Sequence, residues 1–374
     1  MTRLPTVKGR GAPDDPPSRF QRLNLELDDA ALEELAQLEG WEPGELRDGP
    51  ITRYHRDPAR SVVSTNDSPD VGFTRSLNPY RGCEHGCIYC YARPTHEYLG
   101  FSAGVDFEAR IMVKEDAPRL LQMALAREAS PAEPLALSGV TDPYQPVERR
   151  LELTRRCLRV LAEARHPVSI ITKNRLVTRD MDLLADLARH DAVAVTLSIT
   201  TLDRDLRRVL EPRTSAPDRR LEAVRALADA GIPVGVNVAP VIPGLTDHEL
   251  PRILEAAADA GAGHAGYVLL RLPGAVAGLF ESWLEATVPQ RRHRVLERVR
   301  ESRGGHLNDP RFGSRMRGEG SYARQIHQLF TVTARKLGLN GTDRGLNGEA
   351  FKPPPMPPKP GDPSQLDLFG ADGS

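Results

Sequence analysis

From about residue 135 onward the chain alternates short apolar runs with longer segments whose apolar positions recur every three to four residues. The runs lie at 135–140, 167–172, 192–199, 234–242 and 266–271. Between them the helical period predicts helices over about 148–164, 178–189, 218–230 and 247–260. Buried runs of this length, separated by amphipathic helices, argue for an α/β protein with a parallel sheet and right-handed crossovers. Upstream, Ser61-Val-Val-Ser-Thr65 reads as extended chain leading into a loop broken by glycines. A strand ahead of that loop brings the count to about six β/α units.

The flanks are different. Residues 1–60 read as an irregular N-terminal extension, rich in Pro, Gly and Arg at its start, with one short helix over about 28–38. The β/α pattern fills 61–300 and then stops. A helical extension follows over 301–350, with a helix at about 322–337 whose Ile326, Leu329, Phe330 and Leu337 share a face. Residues 351–374 form a tail. Its first part, 351–363, holds seven prolines in thirteen residues, so it is expected as a semi-rigid extended spacer.

The chemistry concentrates in the loop at the head of the barrel, Asn78-Pro-Tyr-Arg-Gly-Cys-Glu-His-Gly-Cys-Ile-Tyr-Cys-Tyr-Ala92. It carries three of the four cysteines, Cys83, Cys87 and Cys90, spaced C-x3-C-x2-C. Iron–sulfur cubanes are held by cysteine thiolates, normally four. Three thiolates leave one iron open, and an open position on a metal is where reactions occur. The competing reading is a zinc knuckle in which His85 closes the site. Structural zinc, however, usually draws on two separated Cys hooks, and no second hook exists. His85 and His96 read as solvated or hydrogen-bonded loop residues rather than ligands. Three clustered cysteines and a distant Cys157 do not make a disulfide framework.

With Tyr89 ahead of the last cysteine, the motif resembles that of the radical S-adenosylmethionine (SAM) superfamily. The resemblance implies a partial (β/α)6 TIM-like barrel with its chemistry at the C-terminal ends of the strands. It implies that Cys83, Cys87 and Cys90 bind a [4Fe-4S] cluster whose unique iron chelates SAM. Reductive cleavage of SAM then yields a 5′-deoxyadenosyl radical that removes a hydrogen atom from the substrate. Tyr89 inherits a place near the adenine. At the second strand end a Gly-Gly-Glu-like segment usually meets the SAM amino group; here only Gly139 matches, with Ser138, Thr141 and Asp142 beside it. Lys173, at the third strand end, suits the SAM carboxylate or a substrate phosphate, and equally a solvated loop charge. Ser198, at the fourth, suits the ribose. Arg213 is a cation where a carboxylate could dock, and the segment 237–244, led by Asn237, suits an adenine face.

Asn78-Pro-Tyr-Arg-Gly-Cys83, Asp106-Phe, Val113-Lys and Thr141-Asp-Pro-Tyr-Gln-Pro look like the spore photoproduct lyase-like branch, over roughly residues 60–275. Members that repair DNA use a cysteine near the second strand end as hydrogen donor. This chain has none there, and Cys157 falls inside a predicted helix.

Composition narrows the class further. The 374 residues carry 50 basic and 51 acidic side chains, a net charge of -1, so no global field draws nucleic acid. No apolar run approaches the ~20 residues of a membrane span, and the N-terminus lacks the apolar core of a signal peptide. A cytoplasmic protein is expected, with an electron donor such as flavodoxin or ferredoxin. The tail ends in Gln365-Leu-Asp-Leu-Phe369, which resembles the pentapeptide that docks bacterial proteins on the DNA sliding clamp. Gln365, Leu366, Leu368 and Phe369 would be the contacts, with Leu368 and Phe369 as anchors. The expectation is therefore a radical SAM enzyme brought to DNA, with a damaged or modified base as substrate. The rivals are a radical SAM enzyme acting on RNA, protein or a small molecule, and a non-catalytic metal-bearing accessory that binds the clamp.

Overall fold

The computed structural model describes residues 52–340 and 345–358. Its centre is a seven-stranded sheet. The strands are β2 (Val63–Thr65), β3 (Arg75–Leu77), β6 (Leu135–Leu137), β7 (Val168–Thr172), β8 (Val193–Ser198), β9 (Val234–Val241) and β10 (His264–Leu269), in the order β10-β9-β8-β7-β6-β3-β2. All neighbours pair in parallel except β2 with β3. Six parallel strands with helices in their connections are the half-closed (β/α)6 barrel that the apolar runs predict. The continuity of those runs shows in the burial: Leu135, Val168, Ile170, Val193, Val195, Leu197 and Val236 are all buried at the sheet's heart.

The first parallel strand is not the predicted one. Val63–Thr65 is extended, but as the antiparallel edge; the strand that feeds the cysteine loop is Arg75–Leu77. Three residues with no apolar period leave no trace in sequence. A second, small sheet joins β1 (Arg53–Arg56), β5 (Arg110–Val113) and β4 (Tyr80–Arg81) in the order β1-β5-β4 and braces that loop from outside.

Helix boundaries follow local chemistry. The segment at 148–164 is two pieces, Glu148–Leu151 and Leu153–Glu163, because Glu152 takes a left-handed conformation, φ 47°. The segments at 178–189 and 247–260 each begin with a 3-10 turn, Arg175–Asp180 and Asp247–Glu249, before the α-helix proper. Pro217 starts the helix Pro217–Asp229 in the first turn, where its missing N–H costs nothing. Two helices with no predicted counterpart, Val276–Thr287 and Pro289–Glu301, carry the core past β10 with Phe280, Trp283 and Val295.

The start of the Pro-rich tail also departs from expectation. Phe351 is buried and meets His166 edge to face at 5.3 Å. The Lys352 amide donates to the Ala164 carbonyl at 2.8 Å, and Gln122 donates to the Pro355 carbonyl at 3.0 Å. The first residues of the proposed spacer are thus docked on the domain, because one aromatic anchor outweighs the polyproline preference. The expected helix over about 28–38 and the motif Gln365–Phe369 lie outside the described residues.

Candidate active site

The cysteine loop is held from below by buried polar contacts. Arg93 is fully buried: its Nε donates to the Cys87 carbonyl at 3.0 Å, its Nη1 to the Gly104 carbonyl at 2.9 Å, and it pairs with buried Glu108. The Cys83 amide donates to the Phe107 carbonyl at 2.8 Å, and the Ile88 amide to the Leu210 carbonyl at 3.1 Å. Gly82 has φ 78°, and a Cβ there would stand 3.0 Å from both His96 Cε1 and the Phe107 oxygen. Only glycine makes this turn without displacing the loop.

Residues that mark the sequence branch prove to be joinery between this loop and the second strand end. Asn78 Oδ1 accepts from the amides of Val140 at 3.1 Å and Thr141 at 3.3 Å. Lys114 donates to the Asn78 carbonyl at 2.9 Å, and Thr141 Oγ1 to the Tyr80 carbonyl at 3.0 Å. Gln145 accepts from the Glu84 amide at 3.0 Å. Asp142 accepts from Thr172 Oγ1 at 2.7 Å and from the Lys173 amide at 2.8 Å, which ties β6 to β7. Burial works to raise the Asp142 pKa, but His85, Thr172 and the Lys173 amide together hold it below the ordinary value.

Above the loop, at the C-terminal ends of the strands, lies a cavity of about 580 Å³. Cys83, Cys87 and Cys90 line it, and so do six of the seven residues expected to hold SAM: Tyr89, Gly139, Thr141, Lys173, Ser198 and Asn237. Their environments differ. Tyr89 is buried, its hydroxyl donating to Glu211 and lying 3.1 Å from Thr200 Oγ1. Lys173 Nζ lies 3.1 Å from Glu211, donates to the Ala239 carbonyl at 2.8 Å and sits 5.6 Å over the Tyr89 ring. It is a structural cation in a network rather than a solvated charge. Asn237 Oδ1 is buried without a hydrogen-bond donor.

Arg213 is the exception. It is absent from the cavity wall and faces outward to Glu84 at 3.7 Å and Thr52 at 3.4 Å. The residue of that segment that touches the cavity-lining side chains is Glu211, two positions earlier, through Tyr89 and Lys173. Glu211 is fully buried between Arg220, Lys173, Tyr89 and Thr200. Burial alone would raise its pKa; Arg220 and Lys173 hold it far below the carboxylate range. Sequence reading favours the exposed-looking cation, yet a carboxylate between apolar Leu210 and Pro212 is the better signal. Arg271, at the sixth strand end, and Arg315 and Met316, from the basic segment after the barrel, also line the cavity.

The two loop histidines are buried, not solvated. His85 Nδ1 lies 3.4 Å from Asp142 and Nε2 3.2 Å from Asn174, so both nitrogens already have partners. His96 packs between Phe101 and Phe107, and burial pushes its pKa down to about 4. Cys157 is fully buried and no part of the cavity.

The donor set fits a cubane. Among the described residues no three His, Cys, Asp or Glu side chains gather closely enough for a single ion, and His85 is not free to close a zinc site. Burial pushes all three thiols upward; at Cys83 the Asp142 carboxylate and the other two cysteines add to it, and at Cys87 Glu211 does. Thiolates there require a cationic partner against them, which iron provides.

Comparisons with known proteins agree. Residues 77–257 match the model of the radical SAM superfamily. An uncharacterized protein of Mycobacterium tuberculosis is 40% identical over 257 residues, covering 68% of this chain and 75% of its own. A radical SAM Nα-GlyT isomerase of Pseudomonas phage M6 is 22% identical over 293 residues, 78% of this chain and 57% of that protein. Among solved structures, a mutant spore photoproduct lyase with bound AdoMet and dinucleoside spore photoproduct superposes with TM-score 0.54. It shares 16% identity over 82% of this chain and 91% of its own, a likeness of fold. On the cysteine triad, the barrel and these matches, the chain belongs to the radical SAM superfamily, with a [4Fe-4S] cluster and SAM as its cofactors.

Proposed function

We propose that this radical SAM enzyme acts on a nucleobase in DNA. The observation that carries the reading is the make-up of the cavity. The three thiols and Tyr89 line it, and so do Arg271 and Arg315, with the half-exposed ring of Tyr91 beneath Arg271. Cations and aromatic faces around one cavity suit a nucleotide, which offers a charged backbone and a π-face. A fold neighbour holds a dinucleoside photoproduct, and the phage relative is an Nα-GlyT isomerase by name, which supports the same substrate class.

When bound, the reduced cluster and SAM supply one-electron cleavage chemistry and hence hydrogen-atom abstraction. The chain's own residues prepare the place. The Lys173–Glu211–Arg220 network fixes the Tyr89 ring beside Cys90. Ser198 and Asn237, on neighbouring strands, offer a hydroxyl and a donor-free amide oxygen to SAM. All four cysteines of the chain are accounted for, and none beyond the triad faces the cavity. The reaction therefore does not depend on a protein thiol as hydrogen donor, which separates it from photoproduct repair that does.

Localisation follows from the tail. Gln365-Leu-Asp-Leu-Phe369 is proposed to dock on the DNA sliding clamp, so that tethering raises the local DNA concentration that a net charge of -1 does not. Among the described residues no helix is long and apolar enough to cross a membrane. An electron donor of the flavodoxin or ferredoxin kind is expected.

The test is anaerobic reconstitution, reduction, and measurement of 5′-deoxyadenosine with DNA, RNA or no nucleic acid present. Stimulation by DNA and not by RNA supports the reading. Equal turnover under all three conditions, with no change in either nucleic acid, sinks it and favours a peptide or small-molecule substrate. A clamp pulldown unaffected by Phe369→Ala removes the tethering proposal.

A further inference from the structure

Arg271 is a cation that no carboxylate touches among the described residues; Asp70, already paired with Arg315, acts on it only through space. It stands just beyond β10, half-buried in the cavity wall, and among the described residues it forms no ion pair. Its Nε is buried without an acceptor, and its one hydrogen bond runs to the Met316 sulfur at 3.3 Å, a weak acceptor. Its guanidinium lies 5.5 Å over the Tyr91 ring. Elsewhere in the site every buried guanidinium has a carboxylate or a set of carbonyls. An unpaired guanidinium held in a cavity wall is costly unless a ligand completes it.

A second arginine is brought to the same wall. Arg315 is clasped by Asp70 and Ser68, and it lies 4.4 Å over Phe312 at the rim. Its Nη1 makes no hydrogen bond among the described residues. The segment that carries it is fixed from within. Buried Arg303 donates to the carbonyls of Leu269 at 2.9 Å and Leu270 at 2.7 Å, and also to those of Ser314 at 3.1 Å and Arg315 at 2.7 Å. One side chain thus binds the end of β10 to the backbone that presents Arg315.

The geometry points to a phosphodiester-binding subsite at the cavity mouth, in which Arg271 and Arg315 together hold the phosphate that joins two nucleosides of the substrate. This rests on the DNA reading above and narrows it: the substrate is recognised as a linked pair of nucleotides, not as a free base or nucleoside. Planar guanidinium forks match phosphate oxygens, and two of them define its position. Asp70 tempers the site, because it already neutralises Arg315.

The experiment uses the reconstituted full-length protein. Fluorescein-labelled single-stranded DNA is displaced by thymidylyl-thymidine or by an analogue whose linker is uncharged; SAM binding is measured in parallel by equilibrium dialysis. Thymidylyl-thymidine is expected to compete better than the uncharged analogue. Arg271→Gln weakens DNA binding about tenfold and lowers the salt slope by about one, Arg315→Gln does so less, and Asp70→Asn tightens binding. SAM affinity is unchanged throughout. Arg315→Gln carries the test if Arg271→Gln does not load its cluster. Wild-type binding that ignores the phosphate, with an unaltered slope in both variants, overturns the subsite and leaves the DNA reading standing. Loss of SAM affinity in Arg271→Gln also overturns it, by assigning the guanidinium to the cofactor. No binding of DNA by the wild type fails the DNA reading itself, and the subsite with it.

Discussion

The floor and the mouth of the cavity are built on opposite rules. At the floor every buried charge is answered within the chain: Glu211 by Arg220 and Lys173, Glu108 by Arg93, Asp142 by His85 and two further donors. At the mouth Arg271 is answered by a sulfur and a ring, and Arg315 only in part. A closed network is rigid, and it can hold three cysteines and a tyrosine in place through a reaction. An open one leaves donors for a ligand. On the proposed reading, the difference separates the part of the site common to the chemistry from the part that chooses the substrate.

Substitutions can break or sharpen that contrast. The largest effect is expected for Cys87→Ala, which removes one of three cluster ligands. Iron content and the visible charge-transfer absorption fall, and 5′-deoxyadenosine formation drops to background. Full turnover in that variant would refute the triad as the cluster's ligand set.

Glu211→Gln comes next. It leaves Arg220 and Lys173 buried without their carboxylate, and breaking one partner of a buried pair costs about 3–5 kcal/mol. Denaturant unfolding should show that loss. The same carboxylate makes a pH prediction. Its folded pKa is depressed, so its contribution is fully present above the unfolded value and lost as pH falls through the folded one. Wild-type stability should decline below about pH 4.3, and the Gln variant should decline less over that window. Equal acid slopes would mean that the floor is not held by Glu211.

Phe351→Ala tests a region remote from both floor and mouth. Removing the aromatic anchor should cost about 2 kcal/mol, below the usual range for a buried Phe because a terminal segment can release instead of leaving a cavity. Limited proteolysis should then cut earlier in the tail. The smallest effect on stability belongs to Arg271→Gln, about 0.5 kcal/mol or less, although its effect on the proposed DNA binding is expected to be among the largest. That inversion is what an open mouth predicts; a strongly destabilised Arg271→Gln would place the residue with the floor.

Much of this is readable beforehand, and the pattern of success is physical. The long strands Val193–Ser198 and Val234–Val241 announce themselves because no residue in them is exposed and nearly every one is apolar or small. Arg75–Leu77 does not, since three residues carry no period, and its strand state comes from pairing with Leu135–Leu137. The helices Val276–Thr287 and Pro289–Glu301 escape a reading that follows the strand alternation, because that alternation ends at β10. Among site residues, those on strand ends line the cavity because a parallel sheet fixes that edge. Arg213 is misplaced because it sits in a loop after the helix Arg204–Leu210, and loop direction is not encoded in spacing.

The sequence by itself determined the cluster chemistry. Three cysteines at C-x3-C-x2-C lie within eight residues, and local chain geometry alone keeps them together. It likewise determined the parallel sheet, whose buried strands demand continuous apolar runs. Only the tertiary structure decided which charges are spent on the fold and which remain for a ligand. Lys173 and Arg271 look alike in sequence, each a cation at a strand end. Glu211 reaches one across 38 positions, and among the described residues no carboxylate pairs with the other. Charge pairing over that distance depends on where helices and loops come to rest, which is settled by packing of the whole barrel and not by any neighbour in the chain.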